Sequence, residues 1–202
     1  MSNKTLAAIA ISTVLIMNLC ACNGKDNISN DNSTLSAIDM NDCIFDIDAV
    51  RSNINIHGHS FTIPQKIADL EEGFFYEFVG DEFGDGLYEV EISYNNEVIL
   101  RTLVSDAHNK SEKAFIYNIA LEDAHSNVLD ITPFLSTKED VLTKFGEPTE
   151  KNKVDILSSE IKEVYRYGIK GTSDGYKASG KFVTISFNAD DIVTSIVINY
   201  LQ

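Results

Sequence analysis

The sequence predicts an α+β fold of two tandem repeats, each with a short helix packed on an antiparallel sheet. One pattern, V-x-I-S-aromatic-N, occurs at residues 90–95 and again 93 positions later at residues 183–188. Each copy alternates apolar and polar residues, as a half-buried strand does, and is followed by an Asn- or Asp-rich turn and a second alternating segment. A helix signal lies upstream of both hairpins. Helices that accompany antiparallel hairpins indicate the α+β class.

The N-terminal segment has the three parts of an export signal. Lys4 provides the positive start, residues 6–19 form the apolar run, and the motif L-C-A-C follows at residues 19–22. The run is shorter than the roughly 20 residues that cross a bilayer. The motif resembles the lipobox of bacterial lipoproteins. This resemblance implies that residues 1–21 are a lipoprotein signal peptide and that acyl chains on Cys22 anchor the protein at the extracytoplasmic face of a membrane. An ordinary secretory signal or an uncleaved anchor is the alternative.

Residues 22–38 are predicted to form a lipidated tether. Eleven of the fifteen residues at 23–37 are Asn, Ser, Asp, Thr or Gly, and this composition buries too little apolar surface to fold. Once Cys20 leaves with the signal and Cys22 is alkylated, Cys43 remains alone, so an intramolecular disulfide is excluded. Cys43 is then either a small buried residue or a nucleophile that requires a positioned base.

The first repeat is assigned to residues 39–125. Its helix is expected between Pro64, at the first helical position, and Gly73, with Ile67 and Leu70 facing inward. The elements that follow are an aromatic strand at 74–79, a glycine loop at 80–86, and a hairpin of residues 90–95 and 97–104.

The second repeat is assigned to residues 126–202 and has the clearer helix. The sequence S-T-K-E at residues 136–139 forms a capping box, Gly146 ends the helix, and Pro148 prevents its continuation. The apolar face of this helix consists of Val141, Leu142 and Phe145. The elements that follow are a strand at 164–169, a glycine loop at 171–180, and a hairpin of residues 183–188 and 192–200.

The second repeat also resembles a known module. The sequence S-T-K-E-D-V-L-T-K-F-G-E-P at residues 136–148, followed by a meander of strands, is similar to the small helix-plus-sheet module shared by beta-lactamase inhibitor proteins and small outer-membrane assembly lipoproteins. The inhibitor proteins contain this module twice in tandem. The resemblance implies a binding protein that presents the exposed face of its sheet to a partner, and it does not identify that partner.

The charge of the chain excludes several functions. The sequence has 16 Lys and Arg residues against 31 Asp and Glu residues, a net charge of −15. Loss of the signal removes Lys4 and makes this charge more negative by one. Nucleic-acid partners are excluded because they require clustered Lys and Arg, and anionic lipid surfaces are disfavoured for the same reason. No catalytic or nucleotide-binding motif occurs, so neither an enzymatic activity nor a cofactor is expected.

His57 and His59 are the weak candidates for a metal site. In an extended segment their imidazoles lie on one side, at a spacing that Zn²⁺ can use. A third ligand cannot be assigned from the sequence, and two exposed histidines at a strand end are the alternative. His108 and His125 lie in loop-like stretches and show no pattern.

Phe83 and Tyr176 are candidate binding residues, one in each glycine loop. An aromatic side chain among small and polar neighbours provides contact area at low entropic cost. A mobile hairpin tip without function is the alternative. Residues 81–86 resemble the start of a calcium loop, but Phe83 and Ile92 occupy positions that require oxygen ligands, so an EF-hand is excluded.

Together these features predict a lipid-anchored extracytoplasmic binding module that engages a protein or an envelope component. The acidic charge together with His57 and His59 leaves open a lipoprotein that captures a cation or another solute. A hydrolase acting on wall or peptide, with Cys43 or a histidine as nucleophile or base, is the third hypothesis. Convergent carboxylates and imidazole would favour the cation, and Cys43 beside His57 or His59 would favour the hydrolase.

Overall fold

Strands dominate the part of the chain that the structure describes. The computed structural model describes residues 45–84, 86–108, 110–154, 160–174 and 177–201, which belong to a compact unit spanning residues 39–202. In these ranges three antiparallel sheets are accompanied by two short α-helices and one 3-10 turn. The coarse form of the predicted fold class, a mixed but sheet-rich architecture, is therefore confirmed.

The elements follow one another in a simple order. They are α1 (Ile47–Arg51), β1 (Ile54–Ile56), β2 (His59–Phe61), β3 (Gln65–Lys66), the 3-10 turn (Ile67–Asp69), β4 (Phe74–Gly84), β5 (Leu87–Tyr94), β6 (Glu97–Ser105), β7 (Phe115–Ile116), β8 (Asn118–Leu121), β9 (Ser126–Val128), α2 (Lys138–Phe145), β10 (Glu150–Lys153), β11 (Glu163–Asp174), β12 (Lys177–Phe187) and β13 (Val193–Leu201).

Sheet I has the strand order β3-β7-β6-β5-β4. Its strands β4, β5 and β6 form an antiparallel meander, which confirms the aromatic strand and the hairpin predicted in this part of the sequence. Asn95 and Asn96 form the β5–β6 turn with φ of 50° and 65°. A two-residue hairpin turn of type I′ requires positive φ at both positions, and Asn tolerates this conformation.

Sheet II has the strand order β10-β11-β12-β13-β8. Strands β11, β12 and β13 form a second meander, as predicted. The turn after β12 is fixed by Asn188, whose side-chain oxygen accepts hydrogen bonds from the backbone N–H groups of Asp190 at 3.0 Å and Ile192 at 2.9 Å. A third, small sheet has the order β2-β1-β9.

The two large sheets share one core. Strand β7 pairs with β6 of sheet I, and β8, which follows at once, pairs with β13 of sheet II. The Thr102 hydroxyl of β6 donates a hydrogen bond to the carbonyl oxygen of Asn118 in β8. One cluster of buried apolar side chains includes residues of both meanders and of both helices. Strand pairing also connects the two sides of residue 125, where the first predicted repeat ends. Strand β8, before this residue, joins sheet II, and β9, after it, pairs with β1.

Helix α2 confirms the predicted second helix, with its start moved by one residue. Thr137, not Ser136, is the N-cap, and it forms a capping box with Asp140. Ser136 is buried and its hydroxyl accepts the backbone N–H of Thr132 at 3.0 Å. Because Ser136 is already used by this turn, the next hydroxyl residue caps the helix. Gly146 ends α2 at a φ of 73°, as predicted.

The first predicted helix is wrong. Between Pro64 and Gly73 the chain forms the short strand β3 and the 3-10 turn instead. The backbone N–H of Ile67 donates to the carbonyl oxygen of Ala114 at 2.9 Å, so pairing with a distant segment replaces intrahelical hydrogen bonds. The helix in this half of the unit is α1, which Asp46 caps and which was not predicted from the sequence.

The predicted signal peptide at residues 1–21, the tether at 22–38 and Cys43 lie outside the described residues. Among the described residues, no helix is both long and apolar enough to cross a membrane.

Candidate binding surface

The segment of His57 and His59 is a turn. His57 and Gly58 have φ of 52° and 88° and connect β1 to β2. The expected extended conformation, with both imidazoles on one side, is therefore wrong. The His59 ring packs on Phe74 and Tyr94, with ring centroids 5.1 and 4.0 Å apart, while His57 faces different residues.

His57 lies instead beside Asp123 and His125. Its Nε2 atom is 3.5 Å from a carboxylate oxygen of Asp123, and its ring centroid is 5.6 Å from that of His125. Together with Glu97, the two histidines line an open depression. Within the described ranges, no group of three or more His, Cys, Asp or Glu side chains is arranged to hold a metal ion.

The first predicted glycine loop is largely strand, because β4 continues to Gly84. Phe83 lies in this extension and is 47% exposed. The neighbouring Glu82 closes the hairpin: it accepts the backbone N–H of Gly86 at 2.6 Å and the Tyr88 hydroxyl at 3.4 Å. Burial, and secondly the Glu82 carboxylate, raise the pKa of Tyr88. The Glu82 carboxylate is thus already hydrogen-bonded within the hairpin.

The second glycine loop, at residues 171–180, is likewise shortened, because β11 extends to Asp174 and β12 starts at Lys177. Tyr176 lies outside the described residues, as do Cys22 and Cys43. The binding roles of Phe83 and Tyr176 therefore stay predictions.

One face of sheet I is open to solvent, and we call it the open face. Its first cross-strand row is Phe75–Ser93–Val98, on β4, β5 and β6, in which Phe75 is 64% and Val98 48% exposed. Two strand spacings place these apolar residues about 10 Å apart. Single exposed apolar residues are common, but two in one row form the centre of a patch. The remaining rows of the open face are Glu77–Glu91–Arg101 and Val79–Glu89–Leu103.

A β-bulge brings Val98 to the open face. Ile92 pairs with Leu100 while Ser93 pairs with Val98, so Ile99 is an extra residue in β6. Without this bulge, Val98 and the buried Leu100 would point to the same side, since side chains alternate along a strand. A strict alternation pattern does not reveal such an insertion, so Val98 was not predicted from the sequence.

Phe75 was also missed, although the sequence contains a signal for it. Residues 74–79 read F-F-Y-E-F-V, and Phe74, Tyr76 and Phe78 face the core. Alternation then turns Phe75 and Glu77 to the opposite side. Two adjacent aromatic residues in a strand cannot both face the core.

The open face has an acidic character. Arg101 forms an ion pair with Glu91, the residue beside it in the row. Among the described residues this pairing leaves Glu77 and Glu89 without a cationic partner on the same face. The apolar row is therefore bordered at Glu77 by an uncompensated carboxylate, and Glu89 follows one row further on, a pattern that suits a partner with basic groups beside an apolar contact.

A second exposed apolar pair lies before α2. Phe134 is 53% and Leu135 67% exposed, and Phe134 has a φ of 64°, which is rare for a bulky residue. The Phe134 N–H donates to the carbonyl oxygen of Val193 at 2.7 Å and fixes this turn to sheet II. The pair occupies a turn and no row of side chains on a sheet, so it provides a natural control for the open face.

Comparison of the chain with known protein families, with curated proteins and with solved structures finds no match.

Proposed function

We propose that this protein is a lipid-anchored binding module on the extracytoplasmic face of a membrane, which engages a protein or envelope component through the open face of sheet I. The binding function rests on one observation, the row Phe75–Ser93–Val98 across three adjacent strands, with Phe75 and Val98 exposed. The anchor rests on the L-C-A-C motif at residues 19–22. Binding energy in protein interfaces concentrates in a few large apolar or aromatic residues that become fully buried. Phe75 has the size and exposure for that role.

The surroundings of the row support the same function. The neighbouring row contains Glu77, Glu91 and Arg101, and polar residues around an apolar centre are the usual composition of an interface. The row lies on a sheet that is hydrogen-bonded on both sides of β5, so its backbone is held before the partner arrives. A pre-ordered surface loses less conformational entropy on binding.

We also propose that the unit consists of two tandem modules, assigned to residues 39–125 and 126–202. The support is the repeated meander, β4-β5-β6 in sheet I and β11-β12-β13 in sheet II. In the second module α2 packs on the sheet, and in the first the 3-10 turn occupies the equivalent place in the sequence. In the modules that this chain resembles, the exposed sheet face contacts the partner, which agrees with the choice of the open face.

A photo-crosslinking experiment tests the function. A photoreactive benzoylphenylalanine replaces Ser93, at the centre of the row, in the lipoprotein expressed in its native cells. We expect ultraviolet light to produce one adduct of defined mass. The variant Phe75→Ser/Val98→Ser, with the same reporter, should lower the adduct yield about tenfold or more, because loss of an interface anchor costs about 2 kcal/mol.

The control is Phe134→Ser/Leu135→Ser, which removes the other exposed apolar pair and should leave the adduct yield unchanged. The proposal fails if no adduct forms at position 93. It also fails if the Phe134→Ser/Leu135→Ser variant lowers the yield as much as the Phe75→Ser/Val98→Ser variant does.

A further inference from the structure

Strand β4 is an edge of sheet I with regular backbone geometry. From Phe74 to Val79 it pairs with β5 without a break in register, and the irregularity begins only beyond Val79. No described strand pairs with its other side. In a regular edge strand, alternate residues direct their N–H and C=O groups away from the sheet, where another strand can pair with them.

The other edges of the two large sheets are protected in three different ways. Strand β10 of sheet II has the sequence Glu-Lys-Asn-Lys, and all four residues are exposed, so charges block pairing. Strand β3 of sheet I has only two residues. Strand β8 of sheet II lies against β6, with the Thr102 to Asn118 hydrogen bond between them.

Strand β4 lacks these protections. It is eleven residues long, and residues 74–79 contain one charge, that of Glu77, and no lysine or proline. Natural proteins avoid long apolar edges because these pair with other chains. Among the described edges of the two large sheets, β4 is the exception, and it adjoins the open face because Phe75 and Glu77 belong to both.

The side chains of β4 indicate which strand would fit. Phe74, Tyr76 and Phe78 face the core but are only half-buried, so an added strand can cover them with apolar residues on that side. On the opposite side the added strand meets Glu77, and Arg101, at the far end of the same row, is already paired with Glu91. A basic residue there would compensate the Glu77 charge.

We propose that the edge of β4 accepts an extended segment of the partner protein in which apolar residues alternate with Lys or Arg. The added strand extends sheet I, with its apolar side chains over Phe74, Tyr76 and Phe78 and its basic side chains on the side of Glu77. This inference rests on the proposed function and specifies how the partner binds. A second copy of the chain fits less well, because it brings the same net charge of −15.

The probe is a synthetic peptide of about nine alternating Lys and Val residues, long enough for one strand. Its binding to the purified full chain is measured by fluorescence anisotropy, and hydrogen exchange of the backbone amides is measured with and without peptide. We expect slowed exchange at residues 74–79. The same peptide with every backbone amide N-methylated should bind at least about tenfold more weakly, because it cannot donate to the edge.

Reversal of the charge at position 77 provides a second test of the inference. Glu77→Lys should weaken binding of the Lys-Val peptide about tenfold and strengthen binding of a matched Glu-Val peptide. Glu139→Lys, which makes the same change of charge on α2, should alter neither affinity by more than about twofold.

Three results would overturn the inference. They are equal binding of the N-methylated peptide, equal effects of Glu77→Lys and Glu139→Lys, and sedimentation of the free chain as a dimer that Glu77→Lys dissociates. If these peptide results fail while the adduct at position 93 persists, the open face binds its partner without strand addition and the proposed function stands.

Discussion

Phe145 shows how one side chain joins α2 to sheet II. Its ring is 2% exposed, and it contacts the rings of Tyr167 and Phe45 edge-on, with centroids 5.5 and 6.0 Å apart. The Tyr167 hydroxyl donates to the carbonyl oxygen of Gly146 at 3.0 Å. The last turn of the helix is thereby held by both an aromatic contact and a hydrogen bond.

Phe145→Ala should lower the free energy of unfolding by about 3 to 5 kcal/mol, because it removes a buried ring and leaves a cavity between helix and sheet. Urea denaturation of the full chain measures the change. Leu142→Ala, a half-buried position of the same helix, is the control and should cost clearly less. Equal losses for the two variants would show that Phe145 is not the main contact of α2.

Some single residues could be assigned from the sequence because their determinants are local. Phe145 and Gly146 follow from helical spacing and from the need for positive φ at a helix end. His57 could not be assigned in this way, because a turn of His and Gly lacks the usual Asn-Gly signal although His tolerates the conformation. Phe75 was predictable in principle from alternation, and Val98 was not, since the bulge at Ile99 has no sequence signal.

At the scale of elements, the start of α2 shows a choice between two capping boxes. Residues 136–140 contain both S-x-x-E and T-x-x-D, and local rules do not distinguish them. Tertiary structure decides, because the Ser136 hydroxyl is already bound to the backbone of Thr132. The 3-10 turn at Ile67 has the same kind of cause, since its backbone pairs with Ala114. The meanders, whose turns contain Asn and Asp, were predicted correctly from local signals.

The capping box of α2 makes stability depend on pH. The Asp140 carboxylate accepts hydrogen bonds from the Thr137 backbone N–H and the Thr137 hydroxyl, both at 2.8 Å. These bonds, the backbone one first, lower the pKa of Asp140 from its ordinary value of 3.8. A folded-state pKa below the unfolded one stabilises the fold at higher pH, and this contribution is lost as pH falls through the folded-state value.

Asp140→Asn should therefore lower the Tm near neutral pH, and its difference from the wild type should narrow as the pH falls from about 4 to about 2. Thermal unfolding followed by circular dichroism across this range measures both effects. Glu139→Gln removes a neighbouring charge without touching the capping box and should show a smaller and flatter difference. A Tm difference for Asp140→Asn that does not change with pH would contradict this account.

At the scale of the whole molecule, the interleaving of strands limits what the sequence reveals. β8 joins sheet II and β9 pairs with β1 of the first half, so the two meanders share one core. Contacts between distant segments leave no periodic signal, and the exposed edge of β4 becomes visible only when the order of strands is known. The module resemblance stays a prediction, as do the binding roles of Phe83 and Tyr176.

The final prediction concerns the anchor that would hold this unit at a membrane. Cys22→Ala should abolish labelling by an alkyne fatty acid and leave the protein unprocessed or released from the membrane fraction, because the predicted anchor consists of two acyl chains on that cysteine. Cys20→Ala is the matched control and should retain both labelling and membrane association, since cleavage before Cys20 would place the bulky Leu19 where a small residue is required. Normal fatty-acid labelling of the Cys22→Ala protein would refute the anchor. If the Cys22→Ala protein is labelled and the Cys20→Ala protein is not, the modified cysteine is Cys20 and the tether begins two residues earlier.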